Sequence, residues 1–508
     1  LTPRRLIPLA LALFLVGSAP ARDLHVNNVR GDDSREGLSP ATALATVEKA
    51  IQLATPGDTI HLTPTEQPYR EQILLKDKGG EPGRPITLDG HGIFLDGSEP
   101  AGPWEKTGER LWVMRGEGSR GALVVDKRLV LERKLAPDLE PGQFCFENTQ
   151  FDQGVLFFKP PAGKEVADCR ISAVLADGRT VETDPAKWRV GSLISYKLGP
   201  KSAPVRILLD GAEAPLLAAR DHLKPGEWCL AEGSVHYYPP AGRTPPDMPI
   251  RRLVRGTGIT LTGKMAHVVV KNFNVRYVWN DAYNIHGQVT GAAFYNCNAY
   301  DCFDEGFSSH DDCETLLDGA VFERCDNGVF NVNKSGGSET RNLTVRQSRH
   351  YGYGAAIPDS AARHTLSNAV LEDNPTPLFA RYLEAENVRI VTTGAAKPEI
   401  ALTGPVRLNR ATVEGPFTLL LSPGSGPIDL QNTVFRAPGI LAFEKPATLR
   451  QENVFWSPGT ELMRKRNTKP LLLDTALAIP EDTLGTKGGG LLEPGAAVPP
   501  GIGWSEKR

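Results

Sequence analysis

NDAYNIHG (residues 280–287), DEGFSSHD (304–311) and DNGVFNVNK (326–334) are three polar passages in a segment whose remaining residues are largely apolar and alternating. Asp281 and Glu305 stand 24 positions apart, and so do His286 and His310. A period of this size belongs to solenoid units, in which residues far apart in sequence lie one above another on neighbouring turns. Aligning the passages on Gly306 puts Asn280, Asp304 and Asp326 at one level, with Asp281, Glu305 and Asn327 beside them. The expected product is a stripe of carboxylates, amides, histidines and one lysine, Lys334, on one face of a coil.

Outward from this stretch the period continues. Val268–Val270, Phe294, Phe322, Val345 and Val370 are read as one recurring strand, spaced 24, 28, 23 and 25 residues from Val270 on. Alternate residues of each strand point inward and stack on the rungs above and below. Asn272, Asn296, Asn327 and Asn342 suit turn positions, since Asn tolerates left-handed backbone and its amide can bond along the stack. Beyond Val388 the spacing shortens, with Val413, Val434 and Val454 21 and 20 apart, and the polar stripe thins. The stretch 461–508 has no clear period and reads as a tail.

Toward the N-terminus, Arg4 and Arg5 precede the apolar run Leu6 to Val16, and Ser18-Ala19-Pro20-Ala21 offers small residues for cleavage. This is the three-part pattern of a signal peptide over residues 1–22, cut near Ala21. The expected location is therefore secreted, periplasmic or at the cell surface, with no transmembrane span in the mature chain. Residues 23–103 carry a short helix, with Val47, Ala50, Ile51 and Ala54 on one face and Thr46 as its cap, followed by the first rungs. An amphipathic helix there suits a cap on the exposed end of a solenoid core. In 104–252 the rung pattern lapses. LEPGQFCFENTQFDQGVLFFKPPAGK (139–164) and LKPGEWCLAEGSVHYYPPAGR (223–243) form an internal duplication of aromatic strands bounded by Pro/Gly turns, the signature of an inserted antiparallel β-rich subdomain. The main coil is expected over 253–460.

The fold class expected is thus all-β: a right-handed parallel β-helix solenoid with an N-terminal capping helix and an inserted β-rich subdomain. A formal net charge of -3 and a pI near 6.4 give no support for nucleic acid as partner. Seven cysteines are an odd set for an oxidising compartment, so at least one stays free or pairs between chains. Cys297 and Cys325, in FYNC and FERC, are read as matching places in adjacent rungs, either bridged or stacked as thiols.

GDDSREGLSPATALATVEKAIQLATPGDTIHL (31–62), followed by GGEPGRPITLDGHGIFLDGSEP (79–100), resembles the entry segment of secreted right-handed parallel β-helix proteins. These pectin-lyase-like proteins include family nine polysaccharide lyases and several glycoside hydrolase families. The resemblance covers residues 24–100 best and implies fold more than reaction. Family nine lyases place an aspartate cluster on two successive rungs and a lysine base further along. Asp281, Asp304 and Glu305 fall on the matching positions, and Lys334 follows. Two departures stand out: Glu305 replaces an aspartate, and Ser308 stands where another aspartate would be.

The residues allow three chemistries. Hard oxygen ligands from Asp281, Asp304 and Glu305 suit calcium, and a cation beside Lys334 would favour it as the base removing the proton alpha to a uronate carboxylate. The leading expectation is therefore a polysaccharide lyase acting by β-elimination, with Lys334, Asp304, Glu305 and His310 catalytic, and His286, Arg324 and Tyr283 contacting a polysaccharide. The alternatives are a glycoside hydrolase using paired carboxylates on the same stripe, and a non-catalytic carbohydrate-binding surface protein.

Overall fold

The computed structural model describes residues 20–508 apart from 117–119, 149–153, 176, 192, 199–202, 232–233, 356–361, 395–397, 423, 444–448, 465–466, 473–483, 488–489, 492–503 and 506–508. The expected signal segment lies outside the described residues up to position 19. Among the described residues no helix is long and apolar enough to cross a membrane.

The period resolves into a parallel β-solenoid of about 8 turns. Its rungs stack into three ladders joined by turns. The first ladder carries Asp23–Val26, Thr59–Leu62, Ile86–Asp89 and the first half of Val268–Arg276. The second carries Ile73–Lys76, Ile259–Thr262, Tyr283–Ile285, Glu305–Asp311, Asn327–Asn333 and Tyr351–Ala355. The third begins with Phe94–Asp96 against 274–276 and continues through 298–300. Phe273, Phe294, Phe307 and Phe322 are fully buried inside the coil. Burying each such ring contributes roughly 1.5–3 kcal/mol relative to leaving it in water.

Between the first and third ladders the chain bends at a residue in left-handed conformation. Asn272, Asn296, Asn342, Asn368 and Asn387 all have φ between 51° and 60°. Their amides bond along the stack: Asn296 Nδ2 donates to Asn272 Oδ1 at 3.2 Å, and Asn368 Nδ2 to Asn342 Oδ1 at 3.2 Å. Gly319 takes the corner in the rung between Asn296 and Asn342. Asn327 is not part of this ladder. It begins the strand Asn327–Asn333 and donates instead to Glu305 Oε1.

This bend corrects two alignments. Apolar residues recur on both sides of it, so a residue five positions on mimics the repeat. Phe294 pairs with Leu317, before the corner, whereas Phe322 lies after it and stacks between Ala299 and Val345. The 28-residue step is therefore a shift of column, and the true step from Phe294 is 23. The same shift separates Cys297 from Cys325, whose thiol neighbour is Cys302. All seven cysteines are free and buried.

The short helix Val47–Leu53 buries Val47, Ala50 and Ile51 in the same core, and Thr46 Oγ1 accepts from Lys49 N–H at 3.2 Å. The insertion leaves at Ser98–Pro100 and returns at Ile250–Leu253, which pair antiparallel. Each copy of the duplication is an antiparallel hairpin: Phe144–Asn148 with Gly154–Phe158, and Trp228–Ala231 with Ser234–Tyr237. Of the adjacent tyrosines, Tyr237 is core and Tyr238 reaches the surface, where its hydroxyl accepts from Arg110 at 3.0 Å. The coil also outlasts residue 460. Glu461–Arg464, Leu484–Lys487 and Gly490–Leu491 add parallel strands to the three ladders. Ser505 then returns to bond Asn387, far from the last rung.

Candidate active site

The second and third polar passages enter their rungs through Gly306 and Gly328, where the first has Ala282, and the next rung repeats the glycine at Gly352. A Cβ at Gly306 would meet the Phe322 ring at 2.7 Å, and one at Gly328 would meet Val345 Cγ1 at 2.3 Å. The chain must pass that close to the core for the preceding acidic residues to face out of the turn. The register stacks Asp281, Glu305, Asn327 and Tyr351 in one column. Asp326 N–H donates to Asp304 O at 3.0 Å in the neighbouring column. The alignment on Gly306 is thus met in the structure.

Asp281, Asp304 and Glu305 present oxygens that all lie within 4.8 Å of one another. Asp281 is the floor, 3% exposed, while Asp304 and Glu305 are partly exposed. Glu305 N–H points at Asp281 Oδ1 at 3.4 Å, and Asn327 Nδ2 donates to Glu305 Oε1 at 2.9 Å. Burial, together with mutual repulsion, pushes Asp281 up to about 7, Asp304 up to about 8 and Glu305 up to about 9. At neutral pH Glu305 and Asp304 therefore mostly keep their protons, while Asp281 is close to half-ionised.

The insertion builds one wall of this site. Ala122, Val124 and Leu253 pack on Tyr277, with Trp279 and Phe303 alongside, and Tyr277 donates its hydroxyl to Lys127 O at 2.9 Å. Arg120 lies 4.8 Å over the Trp279 ring. These aromatics immediately precede Asn280 and Asp304, so the subdomain docks at the lip of the carboxyl cluster.

The other predicted catalytic residues lie elsewhere. Glu305 and His310 occupy opposite ends of one strand, about 16 Å apart at ~3.3 Å per residue. At the far end His286 and His310 stack at 3.9 Å, and His310 Nε2 is 2.5 Å from Ser308 Oγ. Burial and the neighbouring His286 bring His310 down to about 4, so it is neutral. Lys334 Nζ donates to Asp311 Oδ1 at 2.8 Å, which, with further bonds from Gly287 N–H and His286, holds Asp311 down at about 2. The same pair raises Lys334, which is 71% exposed. A lysine that is exposed and ion-paired keeps its proton, the opposite of what a base requires.

Two predicted substrate contacts are also redirected. Tyr283 is fully buried, and its hydroxyl donates to Phe273 O and Asn298 O, so it is a core residue out of a polysaccharide's reach. Inward alternation within the strand explains it. Arg324 sits at a left-handed corner, φ 56°, and is held by both Asp301 oxygens and by Glu323.

Residues that the sequence reading does not single out complete the site. Arg349 Nε donates to Asp326 Oδ1 at 2.8 Å, and its other nitrogens reach Arg324 O and Cys302 O, while His350 Nδ1 lies 2.8 Å from Asp326 Oδ2. Asp326 is thus oriented beside Asp304. Further along the same ladder Phe330, Tyr351 and Phe379 form a half-buried ring cluster, with centroids 5.1 Å, 5.3 Å and 6.3 Å apart. Phe330 lies over Gly354, where a Cβ would strike its ring at 2.2 Å. The signal is present in the sequence as a glycine at every second position of YGYG (351–354), opposite an outward phenylalanine.

The donor set is compatible with calcium: three carboxyl groups supply hard oxygens, and a cation would relieve their repulsion and take them to the ionised form. Asp281, Asp304 and Glu305 would hold it.

No protein-family model matches this chain, and no curated protein matches it in sequence. Among solved structures, a complex of XylC with xylose aligns at 11% identity over 87% of this chain and 70% of that one, with a TM-score of 0.46. A chain described as a glycoside hydrolase aligns at 11% identity over 96% of this chain and 99% of that one, with a TM-score of 0.49. The GH136 lacto-N-biosidase from Eubacterium ramulus aligns at 10% identity over 93% and 67%, with a TM-score of 0.28.

Proposed function

We propose that this protein is a carbohydrate-active enzyme that hydrolyses glycosidic bonds of a polysaccharide at the Asp281/Asp304/Glu305 cluster. The observation that carries the proposal is the convergence of three carboxyl groups from two rungs within 4.8 Å, at the lip formed with the inserted subdomain. Glycoside hydrolysis needs one carboxyl group to protonate the leaving oxygen and a second, ionised, to attack or stabilise the anomeric carbon. Glu305 keeps its proton to the highest pH and is assigned as the acid. Asp304, beside the oriented Asp326, gives up its proton before Glu305 does, at about 8 against about 9, and is the second group, ionised on the alkaline side of neutrality. Spacing below the ~6.5 Å that would admit a water between them favours retention of anomeric configuration. Phe330 and Tyr351 supply flat apolar faces for a sugar ring.

A polysaccharide panel tests this. New reducing ends without ultraviolet-absorbing unsaturated ends support hydrolysis; unsaturated ends would overturn it in favour of β-elimination. A polymer bound but never cleaved would leave a binding module. The lyase reading depends on Lys334, and calcium at the cluster would serve it. Lys334→Ala is expected to leave cleavage within about twofold of wild type, because Asp311 already holds that ammonium ~20 Å along the strand from the cluster. A loss of a hundredfold or more would restore Lys334 as the base. Phe330→Ala and Tyr351→Ala are expected to raise KM about fivefold each with little change in kcat, in line with the ~1 kcal/mol that stacking on an aromatic face contributes. Unchanged KM for both would remove the platform from the binding path.

A further inference from the structure

On a different ladder from the carboxyl cluster, near the N-terminal end of the coil, three histidines stand in succession. His25 pairs in register with His61, and His61 with Asp89. The rings of His25 and His61 stack at 5.4 Å, and those of His61 and His91 at 5.2 Å. His91 joins them because the backbone turns into left-handed conformation there, φ 49°, two residues after the strand Ile86–Asp89 ends its run.

We propose that His61, His91 and Asp89 form a binding site for a divalent transition metal such as zinc. Nδ1 of His61 lies 3.0 Å from Nε2 of His91, and a carboxylate oxygen of Asp89 lies within 4.8 Å of a ring nitrogen of each. Neighbouring ligands on an ion with bonds of about 2.0–2.1 Å stand at roughly this separation. The groups that orient the ligands are already in place. Asp23 Oδ1 is 2.9 Å from His61 Nε2, so the carboxylate accepts from Nε2–H and leaves the Nδ1 lone pair facing His91. Asp89 is buried and fixed by Asn272 Nδ2 at 3.0 Å, by His91 N–H at 3.0 Å and by Lys271 Nζ at 3.0 Å.

Two imidazoles and one carboxylate, with the outer side open to solvent, suit zinc, nickel or copper better than calcium or magnesium. His286 and His310 lack this geometry. Their ring centroids overlap at 3.9 Å, against 5.2 Å for His61 and His91, and His310 Nε2 is turned to Ser308. Among the described residues, the only two groups of three converging donors are this one and the carboxyl cluster. Lys271 opposes a cation here, because it shares Asp89.

Zinc chloride titrated into the full chain by calorimetry, with calcium present in excess to occupy oxygen-only sites, is the test. Binding of one zinc per chain is expected. His91→Asn, which tolerates the left-handed backbone, and His61→Ala should each weaken it at least tenfold. Asp23→Ala should weaken it about tenfold through loss of ring orientation. Lys271→Ala should tighten it, an effect a purely structural histidine stack would not give. His286→Ala should leave it unchanged. Absence of zinc binding up to millimolar concentration overturns the proposal, as does wild-type affinity in both His61→Ala and His91→Asn. Circular dichroism on each variant separates lost binding from lost fold.

Discussion

Glu305→Gln is expected to lower polysaccharide cleavage by about 10²–10⁴-fold, the range a general acid contributes, while the coil stays folded. Gln preserves the shape and keeps an Oε1 to accept from Asn327 Nδ2, so the 2.9 Å bond that fixes the side chain survives. What it loses is the proton held up to about 9 by burial and by the neighbouring carboxyls. A KM close to wild type with a collapsed kcat is the signature of a group used only in the transition state. Asp304→Asn should fall similarly, because both members of a carboxyl pair are required. An activated aryl glycoside, whose leaving group needs no protonation, should recover much of the Glu305→Gln loss and little of the Asp304→Asn loss. Equal rescue of both, or full activity in Glu305→Gln on an unactivated polymer, would remove Glu305 from the acid role.

The place of this site is legible from the 24-residue step, because parallel stacking converts a sequence period directly into a column of side chains. Asp281, Glu305 and Asn327 meet where the alignment on Gly306 puts them. The period does not say how one polar stripe divides along its strand. Asp304 and Glu305 precede the strand's inward run and His310 follows it, so the stripe has two ends on two different turns. Tyr283 illustrates a second limit. It sits among polar residues in NDAYNIHG, yet strand alternation sends it to the core beside Phe294 and Phe322. Phe322 and Cys325 fall one column away from their expected places because the corner at Gly319 splits each long strand into two apolar runs. The Asn corners at 272, 296 and 342 are readable, since few other residues accept φ near 55°. The ring cluster leaves only the glycines of YGYG as a trace, because Phe330, Tyr351 and Phe379 come from three rungs with no shared motif.

Asp281→Asn is expected to make the protein more resistant to unfolding at alkaline pH, and to do so much less at pH 5. Asp281 is almost wholly buried, and burial with the charge of Asp304 raises it from its ordinary value to about 7. Its folded-state pKa lies above its unfolded one. Between about 4 and 7 the folded protein therefore binds more protons than the unfolded chain, and stability falls as pH rises. The contribution is complete below the unfolded pKa and gone once pH passes the folded one. Each unit of such a shift corresponds to about 1.4 kcal/mol, so the gain for Asn is on the order of 4 kcal/mol at pH 9 and about 1.5 kcal/mol at pH 5. The Asn side chain keeps the acceptor for Glu305 N–H, which limits any cost at low pH. Urea midpoints of both proteins at pH 5, 7 and 9 measure the difference, and parallel profiles would mean that Asp281 ionises as readily folded as unfolded. Repeating the pH 9 series with calcium separates the two uses of the cluster. If the three carboxyls hold the ion, calcium restores wild-type stability at pH 9 and does less for Asp281→Asn, because one of the three ligands has lost its charge. If they serve only as proton donors, calcium moves neither midpoint.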